Sequence, residues 1–275
     1  MERSIQVVFS NNNHAQLVKT AIDTKASDIL VALDIQAPQM VITLASGASK
    51  LNDSETLGLI QPLSDAIAQA ASEIGAVIID GGTAAGAMAT IGRAIANQGH
   101  RVPLLGIAPS GKVTYPGRAD KSSNKGTTSL DPNHSHFVLV EGYTWGSETD
   151  TMYQLAEELG KEIPVVTVLI NGGLIAKEEV LRSVREGWPL IVVEGSARLA
   201  DEIASLWRRK ESTRTHQGRA SRAFSIPDPA IAEVIDAGDI YLFPLDSPAD
   251  QIRNLLKQLF VHQQEKALKN LPTLE

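Results

Sequence analysis

The stretch GAVIIDGGTAAGAM, residues 75–88, decides the fold. Val77 to Asp80 is apolar up to its last residue and lacks polar alternation, which is typical of a strand buried on both faces. Two glycines and Thr83 follow at once, and from Gly86 the sequence is alanine-rich with apolar residues at helical spacing. A strand, a tight turn and a helix in direct succession predict one unit of a parallel sheet covered by helices.

Similar units recur along most of the chain. Short β-rich runs alternate with helical stretches, and most of these runs lack the polar alternation of a half-exposed strand. The sequence therefore predicts an α/β fold with an open, mostly parallel sheet and helices on both of its faces. The predicted strands are residues 5–9, 29–33, 40–44, 77–80, 104–108, 136–141, 165–170, 190–194 and 240–243.

The covering helices are predicted at residues 64–74, 86–97 and 196–209. An amphipathic helix is predicted with Ser247 as its N-cap and Pro248 at its first position. We expect residues 1–207 to form the nucleotide-binding α/β domain suggested by the turns described below. Residues 208–222 hold six basic residues against the single acid Glu211. We interpret 208–275 as a basic linker plus a C-terminal helical extension packed on the same domain, with a basic wall facing a phosphorylated ligand as the alternative to a solvated linker.

Composition limits the classes of function. The 275 residues carry 25 Lys and Arg against 32 Asp and Glu, a formal charge of −7, which argues against nucleic acid or an anionic membrane as the main partner. With no cysteine, the chain has no disulfide, thiolate zinc site, iron–sulfur cluster or cysteine nucleophile. No signal-peptide pattern or membrane-length apolar run is present. We expect a cytoplasmic protein, for which a homo-oligomer is one option.

Four predicted strands end directly in turns of small residues. Glycine allows the backbone to approach a ligand closely, and free amides at the start of a helix favour phosphate. Ligands of open α/β sheets lie just beyond the carboxyl ends of the strands, so four such turns favour a shared phosphate or ribose cradle over simple packing. The turns are Ala45-Ser46-Gly47-Ala48-Ser49, Asp80-Gly81-Gly82-Thr83, Asn171-Gly172-Gly173 and Glu194-Gly195-Ser196.

Standard catalytic and nucleotide signatures are incomplete. Residues 106–112 match GxxxxGK, but Val113 replaces the hydroxyl residue that holds magnesium in phosphate-binding loops. No GxSxG is present, which excludes the common serine hydrolase turn. His134 and His136 have a spacing that a metal accepts, but without an identifiable third ligand we expect them to order a loop, and we predict no metal and no cofactor.

Three motifs carry a resemblance to a known family. They are Gly75 to Thr83 with Gly86 and Met88, the segment from Asp131 to Val140 that contains NHSHF, and Val192 to Asp201. In this order they resemble the cytosolic N-terminal region of melastatin-type transient receptor potential (TRPM) channels. That region is a SLOG domain, and the chain is similar to its stand-alone prokaryotic relatives over about residues 41–203.

The resemblance implies a Rossmann-like domain that recognises nucleotide-derived molecules, with ADP-ribose, cyclic ADP-ribose or an NAD-related compound as leading candidates. It implies no channel pore. Thr83 would donate to a phosphate, Arg118 would pair with a pyrophosphate, and Glu194 would accept from a ribose hydroxyl. One departure is the helix after NHSHF, which carries arginines in the channels but is acidic here. The implied ligand-facing residues are Gly47, Ala48, Ser49, Gly81, Gly82, Thr83, Lys112, Tyr115, Arg118, Gly172, Gly173, Glu194, Gly195 and Ser196.

The wider SLOG group also contains the LOG enzymes, which cleave the base-to-ribose bond of nucleoside monophosphates and carry a PGGxGTxxE motif. The equivalent residues 171–179 keep both leading glycines and place Glu179 at the final acid, but lack the proline, third glycine and threonine. Glu179 or Glu178 is thus a candidate catalytic carboxylate, against the alternative of an exposed first helical turn. Three hypotheses stay open: a sensor of an ADP-ribose-like nucleotide, a LOG-like phosphoribohydrolase, and a structural or oligomerisation module.

Overall fold

A computed structural model describes residues 4–47, 54–118, 126–215 and 226–269. Helices and strands alternate over most of these residues, and one turn of 3-10 helix, Ser110–Lys112, follows the fifth strand. The strands are β1 Ile5–Val8, β2 His14–Thr20, β3 Met40–Ser46, β4 Ala76–Asp80, β5 Leu104–Pro109, β6 Val113–Thr114, β7 Thr128–Ser129, β8 His136–Val140, β9 Val165–Ile170, β10 Leu190–Glu194 and β11 Ile240–Pro244. The helices are α1 Ala26–Leu33, α2 Ser54–Ile74, α3 Gly86–Asn97, α4 Thr149–Leu159, α5 Leu174–Arg185, α6 Arg198–Thr215, α7 Pro229–Ala237 and α8 Ala249–Lys269.

Nine strands form one sheet in the order β1-β2-β8-β5-β4-β3-β9-β10-β11. Within the described residues every neighbouring pair in it is parallel except β1 with β2, which is antiparallel. This confirms the predicted open, mostly parallel, Rossmann-like sheet. Successive residues of β4 point to opposite faces: Ile78 packs in the core under α2, α3 and α8, while Val77 and Ile79 pack in the core under α1 and α4.

The order of the strands creates one reversal near the middle of the sheet. From β3 the chain adds β4, β5 and β8 on one side, and then returns through α4 to place β9 on the other side of β3. A parallel α/β sheet opens a crevice at such a point, beyond the carboxyl ends of the two strands. The crevice lies between the turn after β3 and the turn after β9.

One predicted element differs from the structure, and some elements of the structure were not predicted. Ile29 to Leu33, predicted as a strand, is the second part of α1, because a short apolar run does not by itself distinguish a strand from a buried helical face. The strand β2 was not predicted, because polar residues interrupt its apolar ones and no continuous apolar run marks it. The helix α7 was also missed, although Asp228 caps its first turn by accepting from the amides of Ala230 and Ile231.

The C-terminal part continues the same architecture. The predicted boundary at 207/208 falls inside α6, which extends to Thr215, so residues 208–215 are helical rather than a linker. Arg208 and Lys210 have partners there, Glu194 and Asp236 respectively. The strand β11 pairs with β10, and α8 packs on the same face as α2. The remainder of the predicted linker, 216–222, lies outside the described residues. In the described part of the chain no helix is both long and apolar enough to cross a bilayer.

Candidate functional site

Two glycine turns face each other across the crevice at the strand reversal, and the side chain of Arg198 lies between them. Gly47 follows β3, and Gly173 precedes α5 after β9. A Cβ atom on Gly47 would lie 2.9 Å from Nη1 of Arg198, and one on Gly173 would lie 2.7 Å from Nη2. Any side chain at either position would therefore displace the guanidinium. Glycine is needed at both positions because the side chain of Arg198 occupies the space that a Cβ atom would fill.

The backbone that carries Arg198 is unusual. Ala197 and Arg198 both have left-handed conformations, with φ of 75° and 57°, at the junction between the β10 turn and α6. Such conformations cost on the order of 1–3 kcal/mol each for residues other than glycine and are found at ligand clamps and active sites. Arg198 remains exposed despite its contacts with both turns. Its Nη1 also approaches Oδ1 of Asn171 at 3.5 Å.

Buried polar contacts join the turn after β9 to the turn after β10. The backbone amide of Asn171 donates to Oγ of Ser196 at 2.7 Å, and Asn171 Nδ2 donates to the carbonyl of Ser196 at 3.0 Å. Both residues are fully buried. Ser196, predicted to face a ligand, therefore fixes the geometry of the crevice from within. Gly195 has a φ of 90° and donates its amide to Asp201.

Glu194, expected to accept from a ribose hydroxyl, is paired with Arg208. The Nε and Nη2 atoms of Arg208 lie 2.9 and 2.5 Å from its two carboxylate oxygens, and this pair lowers the pKa of Glu194. A bidentate pair of this kind occupies both carboxylate oxygens in the plane used for recognition. A ligand that reached Glu194 would have to compete with Arg208.

The turn after β4 is packed into the protein. A Cβ atom on Gly82 would lie 2.8 Å from Cα of Gly106 in the neighbouring strand, and Gly82 has a φ of 66°. Thr83 is buried and bridges to Leu130. Its hydroxyl donates to the sulfur of Met88, with Oγ1 3.5 Å from Sδ. Gly82 is therefore required by close backbone packing, and a phosphate role for the Thr83 hydroxyl would require rotation of its side chain.

Substitution of Gly106 by alanine is expected to lower the free energy of unfolding by about 2 kcal/mol or more. Its Cβ would lie 2.5 Å from Cα of Gly82 and 2.9 Å from the Phe137 ring, and backbone cannot yield as a flexible side chain does. The matched control is Gly58→Ala in α2, where a Cβ meets nothing within 4 Å. That change is expected to stabilise by about 0.5–1 kcal/mol. Urea unfolding measures the stability of both variants. Equal effects of the two substitutions would contradict the role of Gly106 in close packing against Gly82.

The other predicted ligand-facing residues are dispersed. Tyr115 and Arg118 lie beyond the carboxyl ends of β5 and β8, and Nη1 of Arg118 donates to the carbonyls of Ser110 and Val113 in its own loop. Lys112 ends the short 3-10 turn, after which β6 begins, so no α-helix follows the GxxxxGK match. Ala48 and Ser49 lie outside the described residues. The structure brings together Gly47, Gly172 and Gly173, and adds Arg198.

Behind the β4 turn lies a buried ionic cluster. His134 is fully buried, with Nε2 2.8 Å from Oδ1 of Asp80 and Nδ1 3.1 Å from Oδ1 of Asp131. Burial alone would lower the pKa of His134, but the two carboxylates more than offset it and raise that pKa to about 9. Asp80 also accepts from the amide of Gly82 at 2.7 Å. The imidazolium thereby fixes the end of β4 to the segment before β8.

Glu179 is the buried one of the two candidate catalytic acids. It lies on the sheet-facing side of α5, whereas Glu178 is exposed, so the reading as an exposed helical turn fits Glu178 and does not fit Glu179. Burial raises the pKa of Glu179 to about 8, with further contributions from the negative charges of Glu148 and Asp80. Glu148, also buried, accepts from the amide of Gly146 at 2.8 Å. Glu179 is thus protonated near neutral pH.

Comparisons with known proteins identify the family of the chain. The profile of the family described as "SLOG in TRPM, prokaryote" matches residues 39–253, most of the chain and both turns of the crevice. The chain belongs to this SLOG family. Among curated proteins, transient receptor potential cation channel subfamily M member 2 of Mus musculus is 26% identical over 239 residues, which cover 73% of this chain and 16% of the channel.

Two further relatives show the same relation to the SLOG chain. Subfamily M member-like 2 of Nematostella vectensis is 26% identical over 240 residues, 71% of this chain and 15% of the relative. Subfamily M member 7 of Homo sapiens is 26% identical over 235 residues, 74% of this chain and 12% of the relative. The chain thus spans less than a fifth of the length of these channels.

Sequence reasoning overlooked Arg198, although the residue lies inside the SLOG motif from Val192 to Asp201. The available signal was a basic residue three positions after the glycine of a strand-terminal turn, where its side chain is able to reach back over that edge of the sheet. The glycines at 47 and 173 make room for a side chain that comes from a third turn.

Proposed function

We propose that this SLOG domain binds a nucleotide-derived ligand of the ADP-ribose type in the crevice between β3 and β9, and acts as a sensor of that ligand. The observation that supports the proposal is the exposed guanidinium of Arg198, held between Gly47 and Gly173 at the strand reversal. Guanidinium groups bind phosphate oxygens through two parallel hydrogen bonds. The ligand's pyrophosphate is therefore placed against Arg198.

The start of α5 supports the same placement. Gly173 precedes its first turn and provides no side-chain cap, so the first amides of the helix have no side-chain acceptor from that residue. Amides at a helix start, together with the helix dipole, favour an anion. Arg198 and the first amides of α5 both lie beside Gly173. Such convergence suits a pyrophosphate better than a neutral sugar.

An exposed aromatic residue lies on a loop that reaches this region. Trp145 belongs to the loop between β8 and α4, where a Cβ on the adjacent Gly146 would lie 3.5 Å from Ile175 in the first turn of α5. Indole rings that retain solvent exposure stack on nucleobases. We assign the base of the ligand to this loop. The fluorescence of Trp145 should therefore change when the ligand binds.

The proposal is tested by titrating the protein with ADP-ribose, cyclic ADP-ribose, NAD and AMP in a calorimeter and in a thermal unfolding assay. A ligand at 100 times its Kd adds about 2.7 kcal/mol to the free energy of unfolding, which raises Tm by about 5 °C for a protein of this size. Recovery of unchanged ligand by chromatography supports a sensor. If no member of the panel raises Tm at millimolar concentration, the ligand proposal fails and a structural role gains support.

A second candidate function is hydrolysis of the N-glycosidic bond of a nucleotide, and it is favoured by one observation. Glu179 is buried and has a pKa of about 8, so it holds a proton near pH 7, as a general acid requires. Glu179→Gln should abolish release of free base if the protein is a hydrolase, and leave binding nearly intact if it is a sensor. The control is Glu178→Gln on the exposed side of the same helix. Equal turnover by both variants would exclude Glu179 as the acid.

A further inference from the structure

A cavity of about 480 Å³ lies over β1, β2 and β8, away from the crevice between β3 and β9. Its floor is formed by β1, β2 and β8, and its wall by residues 110–118. This volume is within the range of small-molecule sites in proteins, about 300–1,000 Å³. The lining residues are Ile5, Gln6, Val7, Lys19, Ser110, Gly111, Tyr115, Pro116, Gly117, Arg118, Leu139 and Tyr143.

The charge of this lining is opposite to that of the protein as a whole. Lys19 and Arg118 both contribute to it, and the described lining contains no Asp or Glu, in a chain with a formal charge of −7. The positions of Lys19 and Arg118 are defined by the sheet and by the loop after β5. Lys19 is in register with Leu139 of β8 and leaves the sheet on the cavity face. Arg118 is held at the cavity by Nη1, which donates to the carbonyls of Ser110 and Val113.

The remaining lining is aromatic and aliphatic. Tyr115 and Tyr143 stand at the rim, and the latter is 79% exposed. Ile5, Val7 and Leu139 form an apolar floor between them and the sheet. Aromatic rings and an apolar floor favour a flat ring, and the two cations favour an anionic group attached to it.

The cavity is separate from the crevice that contains Arg198. Gly47 and Gly173 follow β3 and β9, whereas the cavity lies over β8 and β2, with β4 and β5 between. Four strand spacings of about 4.8 Å place the two sites roughly 19 Å apart along the sheet. Tyr115 and Arg118 therefore do not reach a phosphate that is held by Arg198.

We propose that this cavity is a second binding site, for a small aromatic anion in which a planar ring carries a phosphate group. The phosphate lies between Lys19 and Arg118, and the ring lies against Leu139 beneath Tyr115 and Tyr143. The site does not depend on the nucleotide site at the crevice, so each can exist without the other.

Phenyl phosphate is the probe, and methyl chemical shifts of the full chain are the measurement. Binding should shift the methyl signals of Ile5, Val7 and Leu139, and leave Leu199 beside the crevice unchanged. Lys19→Met and Tyr143→Ala should each raise the Kd at least fivefold, because one removes the phosphate partner and the other a ring contact at an exposed position. The control Lys161→Met removes an exposed lysine that pairs with Glu158, and should bind as the wild type does.

Several results would overturn the proposal. Binding of phenol as tight as that of phenyl phosphate would show that the cations play no part. Shifts confined to Leu199, with binding abolished by Arg198→Ala, would place the probe in the crevice. Unchanged methyl signals at 10 mM probe would exclude the site. A protein that binds phenyl phosphate at the cavity but no ADP-ribose would retain this inference while losing the nucleotide proposal.

Discussion

Replacement of Arg198 by alanine is expected to weaken ADP-ribose binding by about 100-fold. The substitution removes two charge-assisted hydrogen bonds to the pyrophosphate, each worth about 1.5–3 kcal/mol, and a loss of about 3 kcal/mol is roughly 100-fold in Kd. Alanine at 198 leaves the residues of the neighbouring turns unchanged, and the turn after β9 keeps its hydrogen bonds from Asn171 to Ser196. Calorimetric titration of the wild type and the variant measures the change.

Two matched variants distinguish the guanidinium from positive charge in general. Arg198→Lys retains the charge without the planar pair of donors, and should lose about tenfold in affinity. Arg208→Ala removes an arginine that is paired with Glu194, and should bind within about twofold of the wild type. If Arg198→Ala binds as tightly as the wild type while Arg208→Ala is weakened, the pyrophosphate lies at the β10 turn and our placement is wrong. Urea unfolding of each variant controls for altered stability.

The sheet was predictable because its strands are apolar on both faces. Val77 to Asp80 admits few alternatives once a glycine turn and an alanine-rich helix follow it, and Val165 to Ile170 is likewise followed by a glycine turn and a helix. The errors occur where this signal weakens. Ile29 to Leu33 packs apolar residues on one helical face and was predicted as a strand. The strand β2 was missed because polar residues interrupt it, so no continuous apolar run marks it.

The candidate site was predictable only in outline. The glycine turns locate the carboxyl edge of the sheet, but glycine serves three different purposes there. Gly82 permits close contact between strands, Gly195 accommodates a positive φ, and Gly47 leaves room for Arg198. A sequence does not distinguish these purposes, because each depends on which element lies opposite. Strand order supplies that information, since it brings β9 beside β3 although more than a hundred residues separate them.

Substitution of His134 by glutamine is expected to destabilise the protein by about 3–5 kcal/mol at pH 6.5. The imidazolium is fully buried between Asp80 and Asp131, and its loss leaves two buried carboxylates without their shared cation. Glutamine retains a donor but no charge. The control is His136→Gln, in which the ring lost is only part-buried and contacts Ser135 through Nδ1. Urea unfolding should show a much smaller effect for this control.

The charge of His134 is tested directly by the pH dependence of unfolding, measured for the wild type and for His134→Gln. The folded pKa of His134, about 9, lies above its unfolded value of 6.5, so its contribution is complete below pH 6.5 and is lost as pH rises through 9. Glu179 adds a decline between about pH 4.5 and 8, because its folded pKa is also raised. The quantity to compare is therefore the difference in unfolding free energy between the wild type and His134→Gln. That difference should shrink by on the order of 3 kcal/mol between pH 6.5 and 10. A difference that stays constant over this interval would mean that His134 is neutral in the folded protein and joins the two carboxylates by hydrogen bonds alone.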